Sequence, residues 1–155
     1  MICARAVTMG QSIVIASILT LIASLAPPAS ADSTVTCDAK GVSVQILGSG
    51  GPIPDDARAS AGYLVWVDGK ARVLVDAGAG VFQRFGASGA KLEDLQHFAV
   101  THFHADHASD IAALVFGTYF SPRTKPLTIS GPMQGGDFPS LQQYLTREFS
   151  SSNGV

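Results

Sequence analysis

Cysteine is scarce in this chain, with only Cys3 and Cys37 among 155 residues. A disulfide framework is therefore excluded as its source of stability, because small stapled domains need several bridges. Charge is also thin: 14% of residues are charged, and the formal net charge is −2. The totals lack the basic excess that marks nucleic-acid binders, so no nucleic-acid partner is expected. No run of like charge suggests a disordered tail, and there is no internal repeat. Histidine numbers four, which makes the placing of those four informative.

Charge is absent altogether from Ala6 to Ala31. Within that span "SIVIASILTLIASLA" (Ser12 to Ala26) is an apolar core of signal-peptide length. It is followed by "PPASADS", where Ala29-Ser30-Ala31 forms a small-x-small cleavage site before Asp32. A membrane anchor needs about 20 apolar residues, and Pro27 and Pro28 interrupt this run first. Residues 1–31 are thus expected to be a cleaved export signal, with no stable membrane anchor and a periplasmic or secreted product. Cys37 follows Val35 and Thr36, the wrong neighbours for a lipidated cysteine. Residues 32–155 suffice for one modest core.

Several strands follow from alternation and β-branched content. "VSVQIL" (Val42 to Leu47) is the first, and it runs into "GSGGPIPDD", where clustered Gly and Pro impose a loop. "GYLVWV" (Gly62 to Val67) and "ARVLVD" (Ala71 to Asp76) form a pair around Asp68-Gly69, a strong hairpin-turn dipeptide. "VFQRFGA" suits a short helix, and "HFAV" (His97 to Val100) a short strand. "SDIAALVFGTYF" has helical spacing at Ile111, Leu114 and Val115, and Leu127 to Ser130 reads as a strand. In "FPSLQQYLTREF", Phe138, Leu141, Leu145 and Phe149 fall on one helical face. Strands followed by strand–helix alternation predict an α/β layered fold.

Three of the four histidines stand within six positions, in "AVTHFHADHASDI" (residues 99 to 111). His102 and His104 are two apart at the end of a predicted strand, so both can point to one side. Asp106 and His107 follow where a helix should begin. Neutral imidazole and carboxylate are the donors that zinc takes, and two ions about 3.5–4 Å apart can divide four such ligands. A lone histidine is more simply a hydrogen-bonded or exposed side chain, and His97 is left in that class. For the trio, metal binding is preferred, since protonated rings would repel with no acidic surroundings to compensate.

"THFHADH" (Thr101 to His107) resembles the H-x-H-x-D-H signature of the metallo-β-lactamase fold superfamily. "LGSGGPIPDDARASAGYLV" (Leu47 to Val65) resembles the glycine loop and first hairpin of its ribonuclease Z-like branch, which includes phosphodiesterases and aryl-sulfatases. "VLVDAGAG" (Val73 to Gly80) resembles the superfamily's first motif, a strand ending in Asp. "DIAALVFGTYFSPRTKPLTISGP" resembles the branch's helix and following strand. The resemblance runs over residues 42 to 132.

It implies an αββα sandwich and a binuclear Zn2+ site, with His102 and His104 on one ion and Asp106 and His107 on the second. Turnover would depend on Asp106. Asp76 would orient the site from the outer shell, or serve only as a strand-end turn residue. Gly48, Gly50 and Gly51 would permit close backbone approach. The implied activity is hydrolysis of a phosphodiester, sulfate ester or lactone, with a β-lactam as the alternative. Export turns the expectation toward a small-molecule ester.

In that family a further histidine, a bridging aspartate and a last histidine complete the two sites. After His107 this sequence has no histidine, and its only acids are Asp110, Asp137 and Glu148. The expectation is an N-terminal half of the domain, inactive alone, that a C-terminal half or a second copy would complement. A non-catalytic metal-binding fragment is the rival reading.

Overall fold

The computed structural model describes residues 40–152. The expected export signal and Cys37 lie outside them. Among the described residues, no helix is long and apolar enough to cross a membrane.

Five strands form one sheet in the order β1-β2-β3-β4-β5. β1 (Val42–Gly48), β2 (Gly62–Val67) and β3 (Lys70–Val75) make an antiparallel meander. The β2–β3 turn has Asp68 at φ 48° and Gly69 at φ 73°. Two successive positive φ values suit the right-handed twist of the flanking strands. Asp68 also ties down the start of β1, since its Oδ1 accepts from the Gly41 N–H at 2.9 Å. β4 (His97–Ala99) and β5 (Thr128–Ser130) then add in parallel, so each must be reached by a crossover. Those crossovers carry the helices α1 (Val81–Ala87), α2 (Ala105–Ala108) and α3 (Ile111–Tyr119).

Period-two alternation sorts the strands into two faces. Leu64, Leu74 and Phe98 stand opposite one another across β2, β3 and β4, and none of the three has exposed surface. Val81 and Phe85 of α1 and Ile111 and Leu114 of α3 join them in one buried core. The alternate residues Val42, Val44 and Ile46 of β1 are 73%, 62% and 64% exposed. One sheet with helices over one face is the layering expected of one half of an αββα sandwich.

Three local expectations need correction. β4 ends at Ala99, so His102 and His104 lie beyond the strand in an extended loop. The predicted single helix after the histidines is two, α2 and α3, broken at Ser109-Asp110. Finally, α4 (Leu141–Phe149) starts after Phe138. Ser140 caps it by accepting from the Gln143 N–H at 3.2 Å, while the Gln143 side chain accepts from the Ser140 N–H at 2.9 Å. Pro139 drives the residue before it away from helical geometry, and Phe138 instead forms an isolated bridge with Gly135.

Candidate metal centre

The histidine loop is held by a carboxylate at the end of β3. Asp76 adopts φ 59°, a left-handed conformation that Asp tolerates better than most residues. Its N–H donates to the Ala99 carbonyl at 2.8 Å, so the bend also pins the end of β4. The carboxylate is almost wholly buried and has three donors. Oδ1 accepts from the Thr101 N–H at 2.7 Å. Oδ2 accepts from the Thr101 hydroxyl at 2.8 Å and lies 2.8 Å from His107 Nδ1.

This network decides which ring nitrogens face Asp76 and Thr101. An ionised carboxylate only accepts, so His107 must donate from Nδ1 to Asp76. The single hydroxyl proton of Thr101 is likewise committed to Asp76. His102 Nδ1, 3.0 Å from that hydroxyl oxygen, must therefore be the donor there. In both rings Nδ1 is the nitrogen turned toward Asp76 and Thr101, and Nε2 is the nitrogen clear of those two residues. Outer hydrogen bonds of this kind orient metal-binding imidazoles and fix their tautomer.

The other candidates gather around these two rings. His102 lies 4.0 Å from His107 and 4.7 Å from His104, centroid to centroid. Asp106 Oδ2 is 3.5 Å from His107 Nε2. His104 is exposed, and its ring stands nearly perpendicular to that of Phe138 with centroids 4.9 Å apart. Phe103, between the histidines, turns the other way and stacks on Tyr144 of α4 at 4.7 Å. Burial, and next Glu148, hold the Tyr144 phenol above its ordinary pKa.

The backbone is fastened as well. The Asp106 carbonyl accepts from the Ala61 N–H, and the His107 carbonyl from the Ala77 N–H, both at 2.9 Å. A Cβ on Gly78 would collide with the Asp106 carbonyl, so only glycine lets these segments meet there. Gly48 has the same relation to the carbonyl of Ser60, whereas a Cβ on Gly51 would meet nothing. Asp110, at the break between α2 and α3, accepts from the Phe82 N–H at 2.9 Å and so ties α1 to the loop.

The structure thus brings His102, His104, Asp106, His107 and Asp76 into one cluster. His97 stays apart on β4, with its Nε2 2.8 Å from the Ser130 hydroxyl. Thr101 and Gly78 are the residues that sequence reasoning missed. Gly78 carried a visible signal in "DAGAG", but Thr101 carried none. In kind the donors fit a zinc-type ion. Among the described residues, however, no three His, Cys, Asp or Glu side chains converge closely enough to hold one.

Residues 42–135 match the family described as anti-Pycsar protein Apyc1. Ribonuclease Z of Mycolicibacterium paratuberculosis (strain ATCC BAA-968 / K-10) is 39% identical over 94 residues, which is 59% of this chain and 33% of that protein. Ribonuclease Z of Mycolicibacterium gilvum (strain PYR-GCK) is 38% identical, again over 59% of this chain, and 32% of its own length is covered. The chain therefore spans about a third of the length of these curated relatives.

Among solved structures, human tRNase Z, short form, superposes with a TM-score of 0.58 at 23% identity, covering 72% of this chain and 40% of that one. That likeness concerns the fold. The metallo-β-lactamase fold protein YhfI from Bacillus subtilis gives a TM-score of 0.55 at 25% identity, over 74% and 43%. The metallo-β-lactamase fold of the ribonuclease Z-like branch is thus present over this N-terminal part, and its relatives are hydrolases.

One expectation is overturned. A small-molecule ester with no nucleic-acid partner does not agree with relatives that are ribonucleases by name. The physical reason is that net charge averages over the whole chain and does not report where its cations stand.

Proposed function

This chain belongs to the anti-Pycsar protein Apyc1 family, and from that premise we propose that it supplies the H-x-H-x-D-H portion of a zinc-dependent hydrolase of RNA phosphodiesters. The observation that carries the proposal is the pair of tethered imidazoles. Asp76 holds His107 by Nδ1 and Thr101 holds His102 by Nδ1, so in each ring Nε2 is the nitrogen left for an ion. His102 and His104 would hold one ion, and Asp106 and His107 the second. Bound zinc would supply Lewis-acid polarisation of a phosphoryl oxygen and would acidify water. The chain's own part is to fix the donors, which it does through Asp76, Thr101 and the Gly78 contact. The names of the relatives favour a phosphodiester over the sulfate ester, lactone and β-lactam alternatives. Export remains part of the proposal, resting on the uncharged run before Ala29-Ser30-Ala31.

Residues 1–155 contain no histidine after His107, so the two ions would have few imidazole ligands within them. Zinc should bind the 155-residue chain weakly, and His102→Ala with His104→Ala should abolish that binding in a calorimetric titration. Asp76→Asn should weaken it about 10–100-fold, while His97→Ala leaves it unchanged. The lone chain should not hydrolyse RNA above background. Joining residues 1–135 to the remaining part of the Mycolicibacterium paratuberculosis ribonuclease Z should restore hydrolysis, and Asp106→Ala should remove it again. Tight zinc retention by the double alanine variant would defeat the ligand assignment. Turnover by the chimera on aryl sulfate but not RNA would defeat the substrate.

A further inference from the structure

Cations collect at the opposite end of β4 from the histidines. Lys70 and Arg72 of β3, the 3-10 turn Leu92–Asp94, and the segment 122–126 before β5 line a cleft of about 470 Å3. Its charged side chains are Lys70, Arg72, Arg123 and Lys125 against Glu93 and Asp94. The acids do not neutralise it. Asp94 Oδ1 is shared between Lys70 Nζ at 3.7 Å and Arg72 Nη1 at 3.9 Å. Such loose pairs are weak and leave much of the field in place.

Arg123 is compensated least. Its guanidinium donates to two neutral carbonyls, Leu92 at 2.6 Å and Pro126 at 3.0 Å. Its buried Nε has no hydrogen-bond partner among the described residues. Burial pulls its pKa below the ordinary arginine value, the direction expected where a charge is desolvated without a counter-ion. Lys125 is exposed, and among the described residues no carboxylate lies within ion-pair distance of it or of Arg123.

We propose that this cleft binds backbone phosphates of a single-stranded RNA, a second contact for the substrate away from the histidine site. The proposal rests on the RNA reading above. Gln96 lines the cleft and His102 follows it by six residues, so the two sites are at most roughly 22 Å apart along an extended chain. A strand of several nucleotides is long enough to cover that separation. Fixed cations in a walled cleft focus their field on an incoming polyanion. Backbone contacts of this kind position a strand without reading its sequence.

The test is the anisotropy of a labelled single-stranded RNA titrated with the full 155-residue chain in EDTA, from low to moderate salt. EDTA removes the metal reading from the measurement, so its failure and failure of the cleft are seen separately. Log affinity should fall linearly with log salt. Lys70→Gln with Lys125→Gln should weaken binding and flatten that slope by about 0.7 for each cation removed. Arg123 is left in place because it also holds the 122–126 segment, and circular dichroism melts check that the lysine variant is folded. Arg84→Gln, which removes an exposed cation outside the cleft, should keep the wild-type slope. An unchanged slope in the lysine variant, or no RNA binding by the wild type, overturns the proposal. Displacement of RNA by inorganic phosphate at equal concentrations also overturns it, by assigning the cleft to a free anion.

Discussion

The two faces of the sheet use the same kinds of residue and differ in what covers them. Leu64, Leu74 and Phe98 on one face have no exposed surface, while Val42, Val44 and Ile46 on the other are more than half exposed. Alternation identifies a strand, but it does not say which row is inside. Helices decide that, and here all four core contributors from α1 and α3 lie on the Phe98 side. Stability should therefore reside in one face. The other is an apolar surface that includes the edge strand β1, where uncovered apolar residues favour association.

Phe98→Ala is the strongest challenge to that comparison. Removing a fully buried ring from the middle of the covered face should cost about 3–5 kcal/mol, measured as a fall in urea midpoint at constant m-value. A loss under about 1 kcal/mol would mean that the helical layer is not the core.

Gly78→Ala tests the seam between that layer and the sheet. A methyl there meets the Asp106 carbonyl, and overpacking of this kind costs about 1–3 kcal/mol. The same wedge should displace Asp106 and lower zinc affinity. Unaltered stability and affinity together would show that the two backbones are not in contact there.

Val44→Thr should be nearly silent, within about 0.5 kcal/mol, while raising the concentration at which the chain stays monomeric in light scattering. A large destabilisation would show that the open face is covered in solution.

Much of this was legible beforehand. The meander follows from alternation plus Asp68-Gly69, whose two positive φ values could be expected from residue type. The clustering of His102, His104, Asp106 and His107 was also visible, because all four lie in one short segment. What escaped depended on partners distant in sequence. Thr101 matters only because Asp76, 25 residues earlier, lies 2.7 Å from its N–H. The break between α2 and α3 depends on Asp110 turning toward Phe82 rather than continuing the helix. Phe138 lies outside α4 although the signals there are local: Pro139 and the Ser140–Gln143 capping box mark the boundary, while the apolar period of the sequence runs across it.

The fastening of the histidine loop has a consequence for amide hydrogen exchange. The N–H groups of Ala61, Asp76, Ala77 and Thr101 each bond a group remote in sequence, namely the carbonyls of Asp106, Ala99 and His107 and the Asp76 carboxylate. None of these bonds belongs to a helix that could fray residue by residue. To exchange, each amide must wait until β2, the end of β3 and the histidine loop separate together. Their protection factors should therefore converge on a single opening free energy and respond alike to denaturant. Amides of α4, which is held by its own cap and an aromatic stack, should exchange on a separate and faster schedule.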